Sequence, residues 1–209
     1  MRYPVGTVGS QKEIDDYWYV ARGFGEFVDG SWYHEGVDLN LKTGADTDNG
    51  YPLYAIADGK IVYYHRYTHA NSGYGKHLIY KIEGDWGVRW VHYAHCQDVD
   101  FLNSAVEVKE GQMIARIGKS GTILAHLHLA IYTKDPISNI DRWARTRTEL
   151  YEWWENPMDF IKQWMNPPSN PVITDTTRIP QINNMEVREI RNLIDNQNSK
   201  LAQIKTIVS

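Results

Sequence analysis

Apolar and polar residues alternate in short runs over the first two thirds of the chain, and turn residues separate the runs. This period of two predicts β-strands, and the pairs Asp58-Gly59 and Glu110-Gly111 between them are typical of tight turns. The predicted strands are residues 52–57, 60–64, 77–82, 88–93, 112–117 and 126–132. Short strands at this spacing favour an antiparallel β-sandwich or barrel, so we predict a mainly β fold with short helices.

A helical period replaces the strand pattern after residue 140. The apolar residues between Ile140 and Trp154 approximate one face of a helix. Asn156-Pro157 then predicts the start of a second helix that runs through Trp164, because Asn caps helix starts and Pro fits the first helical turn.

The C-terminal quarter of the chain differs in composition from the rest. All 16 glycines lie at or before Gly121, whereas four of the eight prolines fall between residues 167 and 180. We therefore predict a folded domain over residues 1–166, a Pro-rich linker over 167–181 and a coiled-coil-like C-terminal helix over 182–209. The apolar seam of this helix, spaced by three and four, is Val187, Ile190, Ile194, Leu201, Ile204 and Val208. Such a stripe also fits a helix that folds back on its own domain.

Composition excludes several classes of protein. The formal net charge is -4, the isoelectric point is near 6.0 and Lys and Arg form no run, so we expect no nucleic-acid binding through phosphate neutralisation. No window approaches 18 apolar residues, so we expect no membrane insertion. Cys96 is the single cysteine, which excludes an intrachain disulfide framework. The first residues lack the apolar core of a secretory signal, so we expect none.

The segment His34-Glu35-Gly36-Val37-Asp38 carries two potential metal ligands. Gly36 disfavours a helix, and residues four apart on an extended segment point to the same face. His34 and Asp38 could therefore aim a nitrogen and an oxygen at one point, and both atom types suit zinc. A turn histidine and a capping aspartate remain the alternative.

The segment His126-Leu127-His128-Leu129 alternates strictly. His126 and His128 share one face of the predicted strand, and the leucines share the other. Imidazoles on a strand suited to a core need water, a metal or hydrogen-bond partners, so this pattern favours a functional site.

The remaining histidines carry a weaker signal. In His92-Tyr93-Ala94-His95 no Glu completes a metal motif, and on a strand His92 and His95 would face opposite sides, so at most one would join a given site. We interpret the other three as solvated surface side chains: His65, His69 and His77.

The order of these segments resembles the lysostaphin/LytM-type zinc metallopeptidases, which cut peptides in bacterial cell walls. The resemblance covers roughly residues 18–165. The segments that carry it, in chain order, are Gly23-Phe24-Gly25-Glu26, His34-Glu35-Gly36-Val37-Asp38, Ala55-Ile56-Ala57-Asp58-Gly59-Lys60-Ile61-Val62, Gly73-Tyr74-Gly75, Tyr93-Ala94-His95, Lys109-Glu110-Gly111-Gln112-Met113-Ile114, Gly118-Lys119-Ser120-Gly121, His126-Leu127-His128 and Asn156-Pro157-Met158-Asp159-Phe160-Ile161. Two features depart from the family pattern: Cys96 replaces the usual Leu, and the segment before His126 lacks the usual Gly-Pro.

The resemblance implies a role for each residue of the site. His34, Asp38 and His128 would be the ligands of one zinc ion per chain, with water in the fourth position. Three protein ligands and an open position are typical of catalytic zinc. His95 and His126 would be the catalytic groups that orient the attacking water, stabilise the oxyanion and pass a proton to the leaving amine.

The expected function is therefore zinc-dependent hydrolysis of peptide bonds in the stems or cross-bridges of peptidoglycan. The alternative is a virion structural or assembly protein whose barrel binds the cell wall without cleaving it. The missing signal and the heptad seam favour a phage enzyme, either carried on the virion tail or present in the host cytoplasm before lysis, that acts at the cell wall. Its expected partners are peptidoglycan and, through residues 182–208, a second copy of the chain or tail proteins of the virion.

Overall fold

A computed structural model of the chain describes residues 1–66, 73–99, 106–140 and 142–165. The predicted linker and C-terminal helix, residues 167–209, lie outside these residues. The described helices are α1 (Gln11–Tyr17), α2 (Arg147–Trp153) and α3 (Pro157–Met165). The described strands are β1 (Trp18–Arg22), β2 (Phe27–Val28), β3 (Trp32–Tyr33), β4 (Gly36–Leu41), β5 (Pro52–Tyr54), β6 (Gly59–His65), β7 (His77–Gly84), β8 (Gly87–Ala94), β9 (Cys96–Val99), β10 (Glu107–Val108), β11 (Met113–Ile117), β12 (Leu127–Tyr132) and β13 (Trp154–Glu155).

Every described pair of strands is antiparallel, which confirms the predicted fold class. The larger sheet has the order β1-β4-β12-β8-β7-β6-β10, with β13 paired to β12, and a smaller sheet has the order β5-β11-β9. Five of the six predicted strands are present with ends shifted by at most two residues. The strand predicted over residues 52–57 is only half present, because β5 ends at Tyr54. The turn predicted at Glu110-Gly111 is present before β11, with Gly111 at a φ of 76°.

The main apolar core lies on one face of the larger sheet. Leu127, Leu129 and Ile131 of β12 belong to the same buried cluster as Leu53 and Ile114 of the smaller sheet. Burying a side chain of this size contributes about 1.5–3 kcal/mol to stability. The other face of β12 is buried as well: Ala130 and Tyr132 pack in a second cluster with Trp154, and His128 is the charged or polar residue that this face carries.

Capping residues, and not the stripe of apolar residues, determine where the helix after residue 140 begins. The predicted helix over residues 140–154 is wrong in its first half, because Thr146 and Glu149 form a capping box that starts α2 at Arg147. Before it, Ala144 instead pairs with Tyr33 in a β-bridge. The second predicted helix is confirmed as α3. None of the described helices is long and apolar enough to cross a membrane.

Helix α1 has no counterpart among the predicted elements. Ser10 caps it, and the side chain of Glu13 returns to the capping residue. The sequence Ser10-Gln11-Lys12-Glu13 is itself a capping-box pattern, so a local signal for this helix exists.

Candidate metal centre

Two neighbouring strands bring the first and last predicted ligands together. In the antiparallel pair of β4 and β12, Asp38 lies directly opposite His128, so both side chains rise from the same face of the sheet. His34 lies in the short connection between β3 and β4. Gly36 between them must be a glycine, because a Cβ at this position would lie 2.4 Å from the carbonyl oxygen of Leu129 and 2.9 Å from the imidazole of His128.

Three donor atoms converge at this point. His34 Nε2 lies 3.2 Å from Asp38 Oδ1, His128 Nδ1 lies 3.1 Å from the same oxygen, and the two nitrogens are 3.1 Å apart. Donors bonded to one zinc ion at about 2.0–2.2 Å in tetrahedral geometry would be roughly 3.3–3.5 Å apart. The triangle of two imidazole nitrogens and one carboxylate oxygen therefore fits zinc closely.

The outer contacts of the two imidazoles suit the same role. Nδ1–H of His34 donates to the carbonyl oxygen of Gly23 at 3.1 Å, which leaves the lone pair on Nε2. His128 would carry its proton on Nε2, a buried atom that lies 3.9 Å from a carboxylate oxygen of Glu35. Metal-binding histidines commonly have a carbonyl or carboxylate near the second ring nitrogen.

The other two predicted site residues lie next to this triangle. The rings of His95 and His126 are 4.6 Å apart, centroid to centroid, and His126 Nε2 lies 3.7 Å from Asp38 Oδ1. Each ring donates Nδ1–H to a backbone carbonyl, that of Ser120 for His95 at 2.9 Å and that of Leu124 for His126 at 3.0 Å. Each therefore retains a lone pair on Nε2. The structure thus brings all five predicted residues into one cleft.

Burial and neighbouring charges set the protonation of these groups. Burial and the imidazoles of His126 and His128 lower the pKa of His95 to about 3. Burial likewise lowers the pKa of His126. Although burial opposes it, the imidazoles of His128 and His34 beside the carboxylate hold the pKa of Asp38 far below its usual value. Near neutral pH the cleft therefore presents an ionised carboxylate beside two neutral imidazoles.

The conformation of His95 corrects the expectation for His92-Tyr93-Ala94-His95. His95 follows the end of β8 and has a φ of 59°, a left-handed conformation that is rare and strained outside glycine. Both His92 and His95 lie with ring centroids 6.1 Å from that of His128, so they do not face opposite sides of the sheet. Only His95 lines the cleft.

His77 contradicts its interpretation as a surface side chain. It is 3% exposed, and its Nδ1 lies 2.7 Å from Nε2 of the fully buried His92. His65 is half-buried, and His69 lies outside the described residues. Pairing between β7 and β8, which the sequence alone does not specify, brings the two buried imidazoles together.

The walls of the cleft contain residues that the histidine pattern did not single out. Trp143 stacks on Tyr74 with ring centroids 5.0 Å apart, and Trp32 meets Trp143 edge-on at 4.5 Å. Arg22 and Thr122 line the cleft as well. The abundance of Trp and Tyr was the available sequence signal, but aromatic rings fill sheet cores equally well.

The two departures from the family pattern leave the donor triangle intact. Cys96 is fully buried, and burial raises the pKa of its thiol to about 12, so it acts as a small apolar side chain. The segment before His126 reaches the same cleft without Gly-Pro, and Gly121 and Thr122 line the opening.

Comparison with known proteins places this geometry in a family. The sequence profile described as peptidase family M23 matches residues 32–140, just over half of the chain. The lipoprotein NlpD of Yersinia enterocolitica is 35% identical over 98 residues, which are 47% of this chain and 94% of that protein. The murein hydrolase activator NlpD of Escherichia coli K12 is 34% identical over 98 residues, which are 47% of this chain and only 24% of that protein.

A solved structure supports the fold independently. The antimicrobial peptidase lysostaphin from Staphylococcus simulans superimposes with a TM-score of 0.51 at 21% sequence identity, over 86% of this chain and 61% of that chain. At this identity the similarity demonstrates a shared fold.

Proposed function

The chain belongs to peptidase family M23, and from that premise we propose that it is a zinc-dependent endopeptidase that hydrolyses peptide bonds in the stems or cross-bridges of bacterial peptidoglycan. The observation that carries this proposal is the convergence of His34, Asp38 and His128 beside two neutral imidazoles in one open cleft. A cluster that served only to stabilise the fold would not need an accessible face.

The three converging side chains would hold the metal. His34 Nε2, Asp38 Oδ1 and His128 Nδ1 would be the donors, and a set of three protein donors is typical of catalytic zinc. A bound zinc ion would supply Lewis-acid chemistry, polarising the scissile carbonyl. A single carboxylate among the donors leaves the loaded site with a net positive charge, which favours that chemistry.

The two neutral imidazoles would handle the protons. Hydrolysis adds water across the C–N bond, so one proton must leave the water and one must reach the departing amine. With Nδ1–H held by a backbone carbonyl, Nε2 of His95 or His126 can accept the first proton and return it to the amine. The resulting imidazolium can also stabilise the oxyanion of the tetrahedral intermediate.

A second candidate function is binding to the wall without cleavage. The named role of the Escherichia coli relative, a murein hydrolase activator, favours this candidate. In such a protein the barrel would dock to peptidoglycan and act through a partner, or through assembly into a virion. The five site residues are all in place in this chain, which supports catalysis over docking alone.

The deciding experiment is mass spectrometry of fragments released from purified sacculi of several wall types. The zinc-loaded protein is expected to release peptides with new amino termini at one type of bond, and EDTA is expected to stop the release. Binding to sacculi without any new terminus would replace the first candidate with the second.

We also propose that the enzyme acts from a phage particle or during phage lysis. The support is the heptad seam predicted over residues 182–208, which would attach the domain to a second copy or to tail proteins.

A further inference from the structure

A one-residue bulge in β1 turns Arg22 toward the candidate metal centre. The ladder between β1 and β4 pairs Trp18 with Leu41 and Val20 with Leu39, but it then pairs Arg22, not Ala21, with Asp38. Without the extra residue, Arg22 would lie opposite a core position. Bulges frequently re-aim a side chain beside an active site.

Arg22 is exposed and makes no ion pair with any carboxylate in the part of the chain that the structure describes. Arg89 and Arg142, by contrast, form ion pairs with Glu155 and Glu149. A guanidinium always carries its charge and presents a planar fork of donors that matches a carboxylate. This cation is therefore available to a ligand.

Arg22 also lies where two grooves meet. One groove holds the donor triangle and the wall of Trp32 and Trp143, and the other continues past His126 to Tyr19, Ile123 and Leu124. Arg22 and Thr122 line both. An extended peptide that crossed the metal centre would therefore pass the guanidinium next to its reacting bond, with apolar contacts on either side.

We propose that Arg22 binds a free carboxylate of the substrate, so that the enzyme prefers acidic stem peptides over uncharged or amidated ones. The expected difference in hydrolysis rests on the proposed function, whereas the expected difference in binding does not. A charge-assisted bidentate contact of this kind is expected to change affinity by about 10- to 100-fold.

The test compares two preparations of cross-linked muropeptides, one native and one whose carboxylates are amidated with a carbodiimide and ammonia. Hydrolysis is measured with the zinc-loaded full chain. Binding is measured by calorimetry with the His126→Ala protein, because its slow hydrolysis leaves the peptides intact during the measurement. Each assay is repeated with Arg22→Gln and Arg22→Lys. The matched control is Arg145→Gln, which removes an exposed arginine outside both grooves.

The native preparation is expected to bind and react about 10- to 100-fold better than the amidated one. Arg22→Gln should remove this preference while leaving the amidated preparation nearly unaffected, and Arg22→Lys should retain part of it. Equal binding of both preparations, or a preference that survives Arg22→Gln, overturns the inference. An equal loss on both preparations also overturns it, since Arg22 would then serve the reacting bond itself. Selective binding without hydrolysis would leave the inference standing and overturn only the proposed peptidase.

Discussion

The hydroxyl of Tyr74 donates a hydrogen bond to the carboxyl group of Glu35, which is fully buried. The same oxygen of Glu35 lies 3.9 Å from His128 Nε2, so one carboxyl group faces both the aromatic wall and a candidate zinc ligand. The ring of Tyr74 simultaneously stacks on Trp143. Tyr74 is thus both a part of the aromatic wall of the cleft and the hydrogen-bond donor to the carboxyl group beside His128.

Tyr74→Phe separates these two roles, because it keeps the ring and removes only the hydroxyl. Removing the hydrogen-bond donor of a buried carboxyl group destabilises the folded state by about 1–3 kcal/mol. We therefore expect the free energy of unfolding, measured in urea, to fall by about that amount. Tyr151→Phe removes a hydroxyl from an exposed ring and is expected to change little. Equal stability of both variants would mean that the hydrogen bond from Tyr74 adds nothing.

Zinc content tests the donor triangle directly. After desalting, the purified protein is expected to hold close to one zinc per chain by elemental mass spectrometry. His34→Ala, Asp38→Ala and His128→Ala should each retain much less, since each removes one of three converging donors. Asp16→Asn, on the exposed side of α1, is the control and should retain zinc fully. Full occupancy in all three variants would refute the ligand assignment.

The two remaining imidazoles should affect the rate and not the metal. His95→Ala and His126→Ala are expected to keep zinc while losing about 10²- to 10⁴-fold in turnover, the usual loss when a general acid or base is removed. Zinc content and turnover on sacculi are measured on the same preparations. Loss of zinc from either variant, or turnover like that of the unchanged protein, would contradict the division of roles.

Local patterns were enough to predict the strands and the face on which the site lies. The alternation around His126 and His128 predicts a strand with its leucines in the core, and Leu127 and Leu129 of β12 do lie in the main core, with His128 on the opposite face. The order of the segments, through resemblance, supplied the ligand set, which spacing alone left open for His34 and Asp38.

Features that depend on pairing between distant strands were not predictable in the same way. The bulge that turns Arg22 exists only in relation to β4, and the burial of His77 exists only in relation to β8. The left-handed φ of His95 has no local signal, because a non-glycine residue there gives no hint of the conformation. These features decide which side chains reach the cleft.

The predicted C-terminal helix gives a separate test at the level of assembly. Three heptads are short for an isolated helix, so packing against a partner must stabilise it. Truncation after Asn166 is therefore expected to leave a folded, zinc-containing, active monomer that no longer self-associates. Light scattering of both proteins measures this. A full-length monomer at high concentration, together with a less stable truncated protein, would show instead that the helix belongs to the domain.

The buried pair of His77 and His92 makes stability depend on pH. Burial, with a smaller contribution from His65, lowers the pKa of His77 to about 3, while its pKa in the unfolded chain stays near 6.5. Between these values the unfolded chain binds a proton that the folded chain does not, so the free energy of unfolding falls as pH drops below about 6.5. The slope from one such group is about 1.4 kcal/mol per pH unit.

His77→Gln keeps a hydrogen-bonding side chain and removes the titration, so its slope between pH 6 and 4 should be smaller by about that amount. Urea unfolding in the presence of EDTA, which removes the effect of metal, gives both slopes, and above pH 7.5 they should coincide. Parallel curves at acid pH would mean that His77 takes up its proton in the folded state and that the pair is less enclosed than its 3% exposure implies.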